Sequence, residues 1–283
     1  MKIKYTSKVS AYIICFNNEV TIKQSIESLF NQTYPLDEIF VIDDGSTDNT
    51  VRIIKDMGIE LLLNSKNKGR GYSRSIAMKH AKNDLVISCD ATNILKSDFL
   101  EKAIFCFHDK NVAAVYGRIR SACKNGAVNQ WRRRHLFKEY SNFDLRPQKT
   151  NLLITYGIVV RKSHVMRVGN FDAKLTHSED GELGERLIRA NYTLLCYPNI
   201  EVISIIRNSF LEVLERYWRW HVGRDERITA TEYLHAIKAS IKPMAQNDLS
   251  NNEWCCVLIS LLCPHYCFLK SVKRKFFLLK KSK

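Results

Sequence analysis

Acidic residues stand at three places in this sequence where a folded chain can use them. Asp43 and Asp44 close the run EIFVIDD, Asp90 closes LVISCD, and Glu179 and Asp180 lie together in SEDGEL. A carboxylate at the carboxyl end of a strand can accept hydrogen bonds from a base N–H or ribose hydroxyls, or help to hold a cation. For Asp43 and Asp44 the competing role is local, as helix caps or the anchor of an Asx turn. Glu179 and Asp180 can supply a general base, or they can simply favour the macrodipole at a helix start. Three cations, Lys68, Arg70 and Arg74, precede the Asp90 strand and are suited to stabilising negative charge on a departing group. For each, a solvated basic face is the plain alternative.

The elements that must position these groups can be read from apolar periodicity. VSAYIICF is a strand, and residues 19–32 place Ile22, Ile26, Leu29 and Phe30 on one helical face. EIFVID is the second strand, followed by a loop dense in turn formers and a helix over 50–56; ELLL is the third strand. A helix over 71–81 leads into DLVISC, and a helix over 98–107 leads into VAAVYG. This alternation predicts βαβ units and a mostly parallel sheet. Residues 118–150 lose periodicity and turn basic, with QWRRRHLFKEY as the densest piece. LLITYGIVVRK, a helix from SEDGEL to Ala190, and strands near YTLLCY and EVISII follow. Beyond 207 the pattern is helical and aromatic. No GxGxxG follows the first strand, which weighs against a dinucleotide-binding fingerprint.

VSAYIICFNNEVTIKQSIESLFNQTYPLDEIFVIDDGSTDNTVRII resembles the opening of family 2 glycosyltransferases with the GT-A fold. Its landmarks are Asn17, Glu19, Ser28-Leu29, Gln32 and Asp43 to Ser46. The likeness continues through NKGRGYSRSIAMKHAKNDLVISCDATNILKSDFL and VGNFDAKLTHSEDGELGERLIRANY, and thins after residue 207. It implies a GT-A-type, Rossmann-like α/β fold and the inverting transfer of one sugar from a nucleotide-diphosphate sugar. Carried over by residue, Asp44 contacts the base, and the turn with Ile14, Phe16, Asn17 and Glu19 lines the nucleotide pocket. Lys68, Gly69 and Arg74 line the donor site, Asp90 sits near ribose and metal, and Asp180, next to Glu179, is the general base. The implied cofactor is a divalent metal, Mg or Mn.

Three departures qualify that expectation. The family's second Asp-x-Asp acid is Thr92 here, and a hydroxyl is a poorer ligand for a hard cation than a carboxylate. Asp90 with diphosphate and water, help from Asn93, or replacement of the metal by basic residues are the open solutions; a retained but weaker metal dependence is expected. Ile14 stands where many relatives have proline. The Gln-x-x-Arg-Trp element of processive synthases is reduced to Arg219-Trp220, with Arg216 in the glutamine position. These two are candidate acceptor-binding residues, an indole being able to stack on a sugar; ordinary core or interface packing is the alternative.

The 283 residues carry a formal charge of +15, with 45% apolar residues. Such an excess points to an anionic partner, whether nucleic acid, a phosphate-rich substrate or a membrane surface; solubility alone is the plain alternative. From Asn251 onward there are seven lysines and arginines against one acid, Glu253, flanking an uncharged apolar run from Cys255 to Leu269. That run is short for a bilayer span and suits an interfacial segment anchored by Trp254 and lysines; a buried terminal helix is the alternative. WRRRHLFK is a second basic-aromatic candidate for lipid phosphates or an anionic acceptor. No nucleic-acid module is present, so no nucleic-acid partner is expected. Nine cysteines without a CxxC pair point to a reducing compartment. The expected organisation is a catalytic domain over 1–207, a helical segment over 208–250 and a membrane-associating tail over 251–283. Within the catalytic domain, residues 1–115 are expected to bind the nucleotide and residues 116–207 the acceptor. The expected partners are a nucleotide-diphosphate sugar, a lipid-linked or cell-envelope glycan acceptor and an anionic membrane surface. The expected location is peripheral or monotopic at the cytoplasmic side of a membrane, with the bacterial inner membrane as setting. A catalytically silent relative acting as a partner protein is the rival reading, supported by Thr92.

Overall fold

A computed structural model describes residues 7–142, 144–222 and 228–281, with side-chain surroundings as far as residue 273. In chain order the elements are β1 (Val9–Cys15), α1 (Ile22–Phe30), β2 (Glu38–Asp43), α2 (Thr50–Asp56), β3 (Glu60–Leu63), α3 (Arg70–His80), β4 (Leu85–Asp90), β5 (Asn93–Leu95), α4 (Phe99–Phe105) and β6 (Val112–Ser121). There follow α5 (Ala127–Trp131), β7 (Gln148–Lys149), β8 (Gly157–Arg161), α6 (Lys162–Arg167), α7 (Glu179–Arg189) and β9 (Thr193–Ser204). The chain ends with α8 (Phe210–His221), α9 (Ala230–Ala239), α10 (Gln246–Ser250) and α11 (Trp254–Lys281).

The chain divides into two compact units, one made of residues 1–122 and 142–206, the other of 123–141 and 207–283. The first unit is built on a nine-stranded sheet in the order β3-β2-β1-β4-β8-β6-β9-β5, with β7 paired to β9. β1 pairs in parallel with β2 and β4, and β2 with β3. This is the α/β architecture the alternation predicts. β1 is buried along its whole length, as a strand covered on both faces must be. The helix after it buries Ile22, Ile26 and Leu29 as the spacing predicts, whereas Phe30, expected on the same face, is exposed at the helix end. The chain runs from β1 outward to β2 and β3, then crosses from β3 to β4 on the other side of β1, so the strand order reverses and a crevice opens at the carboxyl ends of β1 and β4. Antiparallel β8 then joins β4 to β6. The two strands expected near YTLLCY and EVISII are one 12-residue strand, β9, which pairs in parallel with β6 across register shifts.

The second unit is helical. α8 and α9 each open with a capping box, Ser209 with Glu212 and Thr229 with Glu232. The basic stretch around 131 is helical: α5 runs on into a wider π-type turn over Arg132–Leu136. Its polar residues face other protein groups. Trp131 Nε1 donates to Ser260 Oγ (2.8 Å), which donates to Asp248 Oδ2 (2.6 Å). Arg134 Nη1 reaches Asp248 (2.6 Å) and Glu253 (2.7 Å), and His135 Nε2 lies 2.8 Å from Asp248. Arg132 donates to Asn208 and Arg133 to Glu139. WRRRHLFK is therefore no free basic patch: its central cations are spent on buried partners, as burial of a charge requires. The apolar run expected over 255–269 belongs to a helix of 28 residues.

Candidate active site

The carboxyl ends of β1, β2 and β4 gather most of the residues singled out above. Asp43 is wholly buried, and both its oxygens accept the Ser46 N–H at 2.9 Å; it shapes the turn. Gly45 in that turn has φ +84, and a Cβ there would meet backbone of Lys66 at 2.7 Å, so only glycine fits. Asp44 is buried too. Its Oδ1 accepts from Asn64 Nδ2 (2.8 Å) and the Lys68 N–H (3.0 Å), and its Oδ2 from the Gly69 N–H (2.8 Å). Asp44 thereby fastens the loop that leads into α3.

The turn after β1 is zipped to the loop before α2. Asn17 has φ 53; its Oδ1 accepts the Thr47 N–H (2.8 Å), and its own N–H donates to Ser46 Oγ (2.8 Å). Glu19 accepts from the Asn49 N–H (2.9 Å) and side-chain amide (2.8 Å). Both side chains hold loop to loop. Ile14 is buried beneath the turn, pairing with Asp90 in the ladder, and Phe16 is left with an exposed ring at its lip. An exposed aromatic there is a platform for a flat partner.

Arg74 is the residue around which the site is organised. It lies on the buried face of α3 and is fully enclosed. Its Nη2 donates to Asp90 Oδ1 (2.8 Å), its Nε to Glu179 Oε1 (3.2 Å), and its Nη1 to Ser88 Oγ (2.9 Å) and Tyr12 Oη (3.3 Å). Burial opposes the charge, but Tyr12, Asp90 and Glu179 outweigh it and hold the guanidinium protonated. A side chain so placed reaches ligands only through its partners. Lys68, half-buried against Tyr72 with its Nζ 2.9 Å from the phenol oxygen, and exposed Arg70 remain the cations open to a ligand.

The two acids at the start of α7 differ sharply in environment. Glu179 is buried; desolvation pushes its pKa up, the Arg74 guanidinium pulls it back, and Asp180 pushes it up again. Asp180 is partly exposed and accepts from Thr155 Oγ1 (3.2 Å). The backbone at Ser178 is left-handed, φ 59, which turns the chain sharply before these two acids.

The metal question can be tested on these residues. One Asp90 oxygen is engaged by Arg74, while the side chain keeps 22% of its exposure. Asn93 is turned away, its amide donating to the Tyr156 carbonyl (2.8 Å), so it offers no help as a ligand. What remains is one carboxylate oxygen with the Thr92 hydroxyl nearby in sequence. That suits a hard cation that keeps waters and substrate phosphates, not a closed protein cage. Among the described residues one trio of acid and thiol groups lies close enough for a metal, Asp248, Glu253 and Cys256 in the helical unit. It does not fit one: Arg134 already bridges the two acids, and burial raises the Cys256 thiol to about 12.

Arg219 and Trp220 belong to the helical unit, on α8. Arg219 Nε is 3.9 Å from Glu215, Trp220 is half-exposed, and its neighbour Trp218 is buried with the Lys270 ammonium 4.0 Å above its ring. A cavity of about 640 Å³, lined by Ser7, Lys8, Tyr34, Asn83, Phe105 and Arg161, lies at the amino ends of β1 and β4, the end of the sheet remote from the aspartates. Its lining holds no partner for the chemistry above. Tyr12, Ser88 and Thr155, the polar walls around Arg74, were not evident from sequence; the one signal for the first two was a polar residue at matching positions of adjacent apolar strands.

Comparison with known proteins agrees with the architecture. Residues 10–172 match the family described as Glycosyl transferase family 2. A curated relative from Escherichia coli, UDP-Glc:alpha-D-GlcNAc-diphosphoundecaprenol beta-1,3-glucosyltransferase WfgD, is 33% identical over 126 residues, 44% of this chain and 50% of its own. The chain thus spans about half the length of that relative. Among solved structures, the mannosyltransferase PcManGT from Pyrobaculum calidifontis, in complex with GDP-Man and Mn2+, aligns with TM-score 0.61 at 17% identity, covering 93% of this chain and 74% of that one. TarS residues 1–349 from S. aureus, in complex with UDP-GlcNAc, gives TM-score 0.56 at 16% identity, covering 76% and 66%. At those identities the structural likeness speaks for the fold.

Proposed function

The chain belongs to glycosyl transferase family 2, and on that premise we propose that it is an inverting glycosyltransferase. It moves one sugar from a nucleotide-diphosphate sugar to a lipid-linked or cell-envelope glycan acceptor. The observation that carries this reading is the buried Arg74, which ties the carboxylate at the end of β4 to the acidic pair at the start of α7. A donor-side acid and an acceptor-side acid thus flank one crevice, as an in-line displacement needs.

In this reading the base lies against Phe16 and the rim fastened by Asp44, while Lys68 and Arg70 face the diphosphate. Asp180, partly exposed and held by Thr155, takes the proton from the acceptor hydroxyl as its oxygen bonds the anomeric carbon. The bond to the diphosphate breaks on the opposite face, which inverts the centre. Glu179 and Arg74 position Asp180 and Asp90. Asp90 would hold a divalent cation, which when bound would supply charge stabilisation for the leaving group. The Escherichia coli relative is named for a diphosphoundecaprenol substrate, and a polyprenol is a lipid, so the reading places the protein at the cytoplasmic side of an anionic membrane, with a bacterial inner membrane as setting.

Calorimetric titration of UDP, GDP, CMP and dTDP, with manganese and again with EDTA, tests it. Binding of one nucleotide, weakened in Asp90→Ala, supports the donor site. No binding to any of the four sinks the reading in favour of a catalytically silent relative, which the Thr92 substitution favours.

A further inference from the structure

We propose that α11 docks this protein flat on an anionic lipid surface through an apolar stripe, without crossing the bilayer. The helix is apolar on its exposed face as well as on its buried one. The face buried within its own unit carries Cys256, Ile259, Ser260, Cys263, Cys267 and Ser271. The opposite, exposed face carries Trp254, Leu258, Leu261, Leu262, Phe268 and Leu269, with Trp254 69% exposed and Leu258 61%. A helix against water presents polar and charged residues on its exposed face; here that face is apolar apart from His265, which bonds Tyr233, and an exposed apolar stripe marks a surface that something covers.

By length and composition residues Trp254–Lys273, with mean hydropathy 1.6, are able to cross a membrane. The buried face argues against it. Ser260 is bonded to Asp248, which is held by Arg134 and His135, and Arg134 also holds Glu253. Sinking α11 to the bilayer centre would drag this ionised cluster into hydrocarbon or tear it from the helix, and both are costly. Lying flat, the helix keeps the cluster on its protein side and gives only the leucine stripe to the acyl boundary.

Charge selects the partner. Trp254 stands at one end of the stripe and Lys273 at the other, with Arg274, Lys275, Lys280, Lys281 and Lys283 following in the sequence against the single acid Glu253; Lys270 is paired with Glu215 within the unit. Aromatic and basic residues at the ends of an apolar segment are headgroup anchors. A second copy pairing through the same helix would cover the stripe but bring only Glu253 from this segment against those cations; an anionic bilayer meets both demands. Docking of this kind rests on the membrane setting of the proposed function, yet it uses none of the residues assigned to transfer.

The test uses the full chain with vesicles of phosphatidylcholine alone and mixed with phosphatidylglycerol, brominated at shallow or deep acyl positions. The protein is expected to float with the anionic vesicles, and Trp254 to be quenched by the shallow label. In a Trp254→Phe background, Leu262→Trp is expected to report the same shallow depth, whereas a spanning helix would set it about 12 Å deeper. Leu258→Glu/Leu262→Glu is expected to lose vesicle binding roughly tenfold or more, with nucleotide binding unchanged. Three results overturn the idea: a deeper Leu262→Trp, binding without quenching that high salt abolishes, or a concentration-dependent dimer that ignores vesicles. Nucleotide titration of the same preparation separates this failure from failure of the transferase reading.

Discussion

Replacing Arg74 by methionine probes the organisation of the site most directly. The change keeps the length of the aliphatic stem and removes a fully buried cation with donors to Asp90, Glu179, Ser88 and Tyr12. Glu179 is itself buried, so it would be left as an unpaired charge in a dry place. Breaking a buried pair in this way costs about 3–5 kcal/mol, a large share of a typical domain's about 5–15 kcal/mol. The loss is pH-dependent, with a sign that can be worked out. Burial already raises the Glu179 pKa while Arg74 lowers it, so removing the guanidinium raises it further. The folded state then binds a proton that the unfolded state, titrating near about 4.3, has released. Stability of the variant is therefore greatest below that unfolded value and falls as pH rises through the raised folded one. Urea denaturation at pH 5 and pH 8 is expected to show a loss of about 4 kcal/mol at the higher pH and about half that at the lower. Arg74→Lys keeps a charge but cannot reach both acids, and should lose less. Glu179→Gln in the Arg74→Met background should recover about 2 kcal/mol as coupling. A loss under about 1 kcal/mol, or the same loss at both pH values, would refute the view that Arg74 is the internal counter-charge of the site.

Asp180→Asn is expected to lower kcat by about a hundredfold or more while leaving nucleotide affinity intact; an unchanged kcat in a transfer assay removes Asp180 from the role of base. Thr92→Asp adds the missing acid and should tighten manganese binding about tenfold or more when titrated in the presence of the bound nucleotide; unchanged affinity would place the metal elsewhere. Glu201, surrounded by Lys96, Arg118 and Arg120, is pushed up by burial but held down overall to about 2 by those cations. Its contribution, about 2 kcal/mol after allowing for the exposure of Lys96 and Arg120, is present above the unfolded carboxyl value and lost as pH falls towards 2. Acid titrations of stability should therefore be shallower in Glu201→Gln. Gly45→Ala, with a left-handed backbone and no room for a Cβ, should destabilise the chain and weaken nucleotide binding together, read by thermal melting and calorimetry.

The amino-terminal half was legible because its signals are local. β2, α2 and β3 follow the apolar periodicity and turn residues to the residue, and Asp43, Asp44 and Asp90 fall at strand ends because the apolar runs stop there. The family resemblance needed nothing more than those landmarks. Sequence alone could not say which of three basic residues would be enclosed. Lys68 precedes α3, Arg70 opens it on the exposed side and Arg74 falls on its buried face, and the partner Glu179 lies 105 residues away. Nor could it show that 123–141 would join 207–283, since that grouping depends on Trp131, Arg134 and His135 finding Ser260 and Asp248 across more than a hundred residues. The apolar run of the tail was visible, but not which side would be covered. Periodicity encodes what each segment can form; the choice of partners is a sum over distant contacts, and only the folded chain evaluates it.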